Sequence, residues 1–180
     1  MKIDDLRTIR LTLRIFRQDD LTFLLDHFSN PLVSKYLYDH EPPASIEDAR
    51  KILEWCMDFT SEDHCRWCIE LSDGKKRIGT CGFHYADKGN HSAEIGYDLS
   101  HEYRGRGFMA EALKRMLTFG FDDLHLNRVY AYVFPMNLTS IHLLGRLGFT
   151  REGVIREKHL FRGKYYDHDL YSLLSREWVN

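Results

Sequence analysis

Apolar and polar residues alternate over Ile9-Arg10-Leu11-Thr12-Leu13-Arg14, the period of two that marks a half-buried strand. The period then lengthens: Leu21, Leu24, Leu25 and Phe28 recur at helical spacing behind Asp19-Asp20, which offer an N-cap. Pro31, Pro42 and Pro43 predict a loop before a second helix, whose apolar face carries Ala49, Ile52, Leu53 and Cys56. Ser45-Ile46-Glu47-Asp48 opens that helix as a capping box with Asp where Glu is usual. Arg66 to Leu71 and Arg77 to Tyr85 read as strands joined by Ser72-Asp73-Gly74, and Glu94 to Leu99 as another. Beyond Gly105-Arg106-Gly107 the helical period returns in Met109, Ala112, Leu113, Met116 and Leu117. Val129 to Phe134 predicts a strand. A helix then starts near Thr139-Ser140, with Ile141, Leu144 and Leu147 inward and Gly148 as its left-handed cap. Glu157 to Ser175 reads as a hairpin turning at Arg162-Gly163-Lys164. Such an order predicts a mixed-sheet α/β (α+β) fold rather than a helix bundle or a sandwich.

At 180 residues the chain has room for one domain, read as 1–180. With 43% hydrophobic and 29% charged residues it can build a packed core, which sets disorder aside. Lys+Arg 25 against Asp+Glu 27 gives a net charge of −2, so no nucleic-acid partner is expected. No apolar run approaches the ~18 residues of a membrane span. Met1-Lys2-Ile3-Asp4-Asp5 has no apolar leader core, so the expected compartment is the cytoplasm, without a membrane partner. Four cysteines do not suggest a disulfide scaffold. Cys65-x-x-Cys68 and Cys81-x-x-His84 imitate a zinc-ligand spacing, but on strands residues i and i+3 project to opposite faces, so no metal is expected.

The segment Tyr103-Arg104-Gly105-Arg106-Gly107-Phe108-Met109-Ala110-Glu111 carries the clearest chemistry. A glycine turn opening a helix presents unpaired N–H groups at the positive end of the helix dipole, which suits phosphate. Arg104 and Arg106 add charge there; the bland alternative is a flexible turn with two solvated arginines. Gly105-x-Gly107-x-x-Ala110 also matches a dinucleotide fingerprint. That reading lacks its context. Ser100 to Arg104 separate the turn from its strand, and Val129 to Phe134 runs into Pro135-Met136-Asn137 rather than an acidic residue.

The stretch Arg104-Gly105-Arg106-Gly107-Phe108-Met109 resembles the Q/R-x-x-G-x-G/A signature of the GNAT acetyltransferase superfamily, with Met109 where Gly or Ala is usual. The likeness extends through Ala93 to Tyr97, Met109 to Leu113, Asn137 to Ser140 and Leu147 to Phe149. With Arg10 to Arg14 and Tyr171 to Leu174 it is similar to the branch that includes ribosomal-protein N-terminal acetyltransferases. The resemblance implies a sheet whose strands Glu94–Leu99 and Val129–Phe134 splay apart around the pantetheine of acetyl-coenzyme A. That arm would pair with the backbone around Tyr97, Asp98 and Leu99, and with Asn137, whose alternative role is a turn after Pro135. The pyrophosphate would rest on the N–H groups of Arg106, Gly107, Phe108 and Met109.

The implied reaction moves acetyl from acetyl-coenzyme A to a primary amine, by direct attack in a ternary complex. Glu94 resembles family carboxylates that act as general base, and otherwise reads as a solvated strand-end acid. The Tyr97 N–H suits an oxyanion. Many relatives carry a tyrosine at the position of Leu144 to serve the leaving thiolate; Ser140 is the nearest substitute here, or else a helix N-cap. The acceptor is a protein N-terminus or a small cationic amine, met by Tyr36, Tyr38, Asp39, His40, Glu41, Tyr165, Tyr166 and Asp167 from the early loop and the hairpin. A non-catalytic coenzyme A sensor is the alternative function, and a monomer or a homodimer is expected.

Overall fold

A computed structural model describes residues 4–37 and 41–179. Among the described residues, eight strands form one sheet in the order β1-β2-β3-β4-β5-β6-β8-β7. They are β1 (Leu6–Arg7), β2 (Leu11–Ile15), β3 (Cys65–Leu71), β4 (Arg77–Asp87), β5 (Ser92–Leu99), β6 (Arg128–Val133), β7 (Thr150–Phe161) and β8 (Lys164–Leu174). The helices are α1 (Leu21–Ser29), α2 (Pro31–Ser34), α3 (Ile46–Cys56), α4 (Phe108–Asp122) and α5 (Leu138–Arg146). Every neighbouring pair of strands is antiparallel except β5 and β6, which are parallel and connected through α4. That mixed sheet is not the doubly wound parallel sheet a dinucleotide site needs, which removes the dinucleotide reading.

Alternation along the strands divides the chain into two cores. Leu13, Trp67, Ile69, Phe83, Ile95, Val129 and Leu173 join α4 and α5 in the larger one. Cys68 faces the other way, with Phe16, Leu24, Leu53 and Cys56 beneath α1 and α3. Cys65 lies in the larger core and Cys68 in the smaller, so this C-x-x-C pair straddles the sheet and cannot share a metal.

Asp20 departs from its expected role. Rather than capping α1, its carboxylate is buried against the Arg14 guanidinium at 2.9 and 2.8 Å, a bidentate charge-assisted pair. Asn30 caps the short helix α2, which the prolines had suggested was loop. Ser45 caps α3, accepting from the Asp48 N–H, but Asp48 reaches back to the Ala44 N–H in place of the reciprocal bond that would complete a capping box. Gly148 is left-handed as expected, at φ 88°. The C-terminal hairpin begins at Thr150, earlier than Glu157. β7 is an edge strand exposed along most of its length, so no buried face writes alternation into its first half.

Candidate functional site

The parallel pairing of β5 with β6 covers only Ser92/Arg128, Ala93/Val129 and Glu94/Tyr130. Past Glu94 the two strands diverge, while β5 stays paired with β4 up to Leu99. The Ser100 N–H donates to Ile78 on β4, and the Asp98 carbonyl abuts Gly79 of the same strand. By strand alternation, the peptides of Ile95, Tyr97 and Leu99 point the opposite way, into the gap. Of the three backbone positions expected there, Tyr97 and Leu99 therefore face the gap and Asp98 does not.

The Asp98 side chain is also committed elsewhere. It is buried and accepts from Arg66 Nη2 at 2.6 Å, Thr80 Oγ1 at 2.7 Å and His27 Nε2 at 2.6 Å. These contacts hold its carboxyl below the usual carboxylate range against the opposing effect of burial. Arg66 Nη1 lies 2.8 Å from His84 Nε2. A guanidinium cannot accept, so His84 Nε2 is the acceptor in this contact. A Cβ at Gly96 would stand 2.7 Å from the His84 ring, so glycine there leaves room for this network.

At the open end of the gap, Gly105 and Gly107 adopt φ of 74° and 79°, a left-handed region in which glycine carries no Cβ penalty. Gly107 is the N-cap of α4, and no side chain caps the helix, so its first N–H groups face outward. Phe108 and Met109 bury their side chains in the larger core, which gives Met109 the room its size requires. Arg106 stays at the turn, 5.0 Å from the Phe108 ring. Arg104 donates instead to the carbonyls of Leu99 and Leu32, at 3.1 and 2.9 Å, and so braces the loop.

Arg10 and Glu111 are participants that local pattern did not single out. Arg10 donates to the Arg106 carbonyl at 3.1 Å and to Glu111 at 2.7 Å, with its guanidinium 4.4 Å from the Phe108 ring. Glu111 also accepts from Thr8 Oγ1 and the Arg10 N–H. An acid in the first turn of α4 was the visible signal; its partners lie a hundred residues away.

Glu94 is half-buried on the sheet face opposite α4 and α5, in register with Tyr130. Burial and then the Glu94 charge push the Tyr130 hydroxyl up to about 12, and the same causes raise Tyr132. Lys158 rests 4.5 Å from the Tyr132 ring. Nearby, Tyr36 and Tyr166 pack on Phe134 with centroids 5.8 and 5.7 Å away. Glu41 pairs with Arg162 at the hairpin turn, and Asp167 accepts from the Glu157 N–H in the β7 bulge. Tyr165 is exposed on the hairpin. Tyr38, Asp39 and His40 lie outside the described residues.

Asn137 caps α5, its Oδ1 accepting from the Ser140 N–H at 3.3 Å. Ser140 is thus the third residue of the helix and not its cap. Leu144, one turn on, is buried in the larger core. The Tyr97 side chain also packs against that core, and burial pushes its hydroxyl up to about 12, partly countered by Ser140 close by. Among the described residues, no group of three or more His, Cys, Asp or Glu could hold a metal, and no helix is long and apolar enough to cross a membrane.

The family described as Acetyltransferase (GNAT) domain matches residues 10–150. The chain is 38% identical over 178 residues to the uncharacterized N-acetyltransferase p20 of Bacillus licheniformis, spanning 98% of this chain and 99% of that one. It is 34% identical over 108 residues to the ribosomal protein uS5-alanine N-acetyltransferase of Escherichia coli, 59% of this chain and 56% of the relative. The crystal structure of spermidine N-acetyltransferase from Vibrio cholerae in complex with CoA and spermine superposes with a TM-score of 0.84 at 25% identity, covering 96% of this chain and 100% of that one. Relatives acting on ribosomal protein and on polyamine are thus both present, and neither branch stands alone. A divergent β5–β6 pair, an uncapped glycine turn and a family match across most of the chain lead to one assignment: this protein belongs to the GNAT acetyltransferases.

Proposed function

We propose that this chain moves acetyl from acetyl-coenzyme A to a primary amine by direct attack in a ternary complex. The observation that carries the reading is the gap beyond Glu94/Tyr130, with an uncapped α4 at its open end and Glu94 beside its apex. The residues fit the nucleotide. Left-handed Gly105 and Gly107 let the N–H groups of Arg106, Gly107, Phe108 and Met109 converge on a pyrophosphate, with Arg106 adding charge. The inward-facing Tyr97 peptide and the Leu99 N–H suit the amides of the pantetheine arm, and the Asn137 amide lies at the start of α5 to join them.

Acetyl-coenzyme A supplies the acetyl group as an activated thioester. The amine forms a C–N bond to the acetyl carbon while the C–S bond breaks. An amine is mostly protonated at neutral pH, so its proton must be removed before attack. Glu94 takes that proton, directly or through water, and the second proton, which the nitrogen sheds as the amide forms and the thiolate leaves, passes to water. The Tyr97 N–H donates to the carbonyl oxygen as negative charge gathers there. Arg10 and Glu111 tie the phosphate turn to β2, and Asp98 and Arg66 stiffen β5 beside Glu94.

The acceptor is a cationic primary amine, either a protein N-terminus or a small amine. Support comes from the carboxylate and tyrosine rings that share one sheet face, Glu94 with Tyr130 and Tyr132, beside the Tyr36–Phe134–Tyr166 cluster. Thiol release from acetyl-coenzyme A, measured against polyamines, amino-acid derivatives and peptides with Ala or Ser at the N-terminus, tests this reading. Release with one amine class supports the enzyme and names its branch. Tight coenzyme A binding with no release for any amine favours a sensor.

A further inference from the structure

With Leu144 buried and apolar, the remaining hydroxyls near the gap decide what meets a leaving sulfur. The Tyr97 oxygen is buried and has no hydrogen-bond partner of ordinary geometry, although Ser140 is near enough to influence its ionisation. A buried hydroxyl without a partner is costly, and such groups commonly mark a place where a ligand completes the bond. Tyr97 stands where its peptide faces the gap, and its ring crosses to the α5 side of the sheet. Ser140 sits in the first turn of α5, where the helix dipole favours negative charge. Its N–H is taken by Asn137.

We infer that the Tyr97 hydroxyl is a hydrogen-bond donor to the coenzyme A sulfur, acting beside Ser140. The inference rests on the acetyl-coenzyme A reading above and adds a catalytic side chain to a residue assigned there through its backbone alone. The arm's amides are matched by strand peptides and Asn137; sulfur, on which charge gathers as the C–S bond breaks, has no such partner. The bonding pair of electrons stays on sulfur, and Tyr97 and Ser140 stabilise the thiolate without losing their own protons. A phenol is already a weaker acid than a thiol of pKa about 8–9, and burial of Tyr97 widens the difference. It therefore acts as a donor and not as a proton source, and the amine's proton leaves through Glu94.

The test titrates the thiol of bound coenzyme A by its thiolate absorbance in the wild type, Tyr97→Phe and Ser140→Ala. Calorimetry with coenzyme A and with desulfo-coenzyme A runs alongside. Tyr97→Phe should raise the bound thiol pKa by about one unit, a tenfold change in thiolate stabilisation. It should leave the affinity for desulfo-coenzyme A within about twofold of wild type, and Ser140→Ala should shift the same pKa upward. An unshifted thiol in Tyr97→Phe, or an equal loss of affinity for both ligands, overturns the inference by returning Tyr97 to packing or to the arm. If Tyr97→Phe does not fold, Ser140→Ala decides: an unshifted thiol there overturns the shared site. Wild-type protein that binds neither ligand would overturn the acetyl-coenzyme A reading itself.

Discussion

Replacing Gly107 by Asp separates phosphate binding at the α4 turn from fold stability. The backbone at Gly107 has φ 79°, and a Cβ there would meet only Arg10 Nη2, at 3.4 Å. The substitution therefore brings left-handed strain of roughly 1–2 kcal/mol, and little steric cost. A carboxylate at a helix N-terminus offsets about 0.3–1 kcal/mol of that, so the melting midpoint should fall only slightly. Binding should respond far more. A carboxylate roughly 5 Å from one phosphate charge, at an effective dielectric of about 20, opposes it by about 3 kcal/mol, or on the order of a hundredfold in affinity. Calorimetric titration with coenzyme A at low salt reads the loss, and at ~1 M salt the penalty should shrink as the Debye length falls to about 3 Å. Gly107→Ala is the control, sharing the strain without the charge, and should lose several-fold less affinity. Wild-type affinity in Gly107→Asp would refute a phosphate at this turn. Equal losses for Ala and Asp would refute the electrostatic argument and leave only backbone geometry.

Glu94→Gln should depress kcat most at neutral pH and least at high pH, where more amine is already free; an equal loss at every pH in rate assays would strike Glu94 as base. Because Asn137 caps α5, Asn137→Ala should cost about 1 kcal/mol in denaturant unfolding, whereas Ser140→Ala should leave the midpoint nearly unchanged and lower kcat; the reverse pattern would contradict the cap assignment. Asp98→Ala leaves Arg66 buried without its carboxylate and should destabilise by about 3–5 kcal/mol, with Asp98→Asn milder. The Asp98 pKa is lowered in the fold, so its contribution is fully present above the ordinary carboxylate value and lost as pH falls through the folded value. Wild-type stability measured by urea unfolding should accordingly drop more steeply than that of Asp98→Asn below about pH 4; parallel curves would deny the link.

Local periodicity located most elements, because each buries one face and the burial repeats at two or 3.6 residues. Where no face is buried, as along the start of β7, or where a cap replaces an apolar stripe, as at Asn30 before α2, the pattern was silent. The glycine turn was legible for a related reason. Positive φ at Gly105 and Gly107 and a helix beginning beside them are properties of neighbouring residues. Glu94, Asn137 and Ser140 entered through family likeness and not through any spacing of their own.

What the sequence determined by itself is what depends on residues near one another along the chain: element type, the glycine turn before α4 and the alternation that puts Cys65 and Cys68 on opposite faces. Tertiary structure alone decided which polar groups are spent inside the protein and which remain for chemistry. It turned Arg104 onto backbone carbonyls and enclosed Asp98 with Arg66 and His27. It also made Asn137 the α5 cap in place of Ser140, and left the buried Tyr97 hydroxyl without a partner. The physical reason is that burying a polar group is costly unless it finds a partner, and across a sheet those partners come from strands and helices tens of residues apart. Arg10 meeting Glu111 at the glycine turn is the clearest case, since neither residue carries any sign of the other in its local sequence.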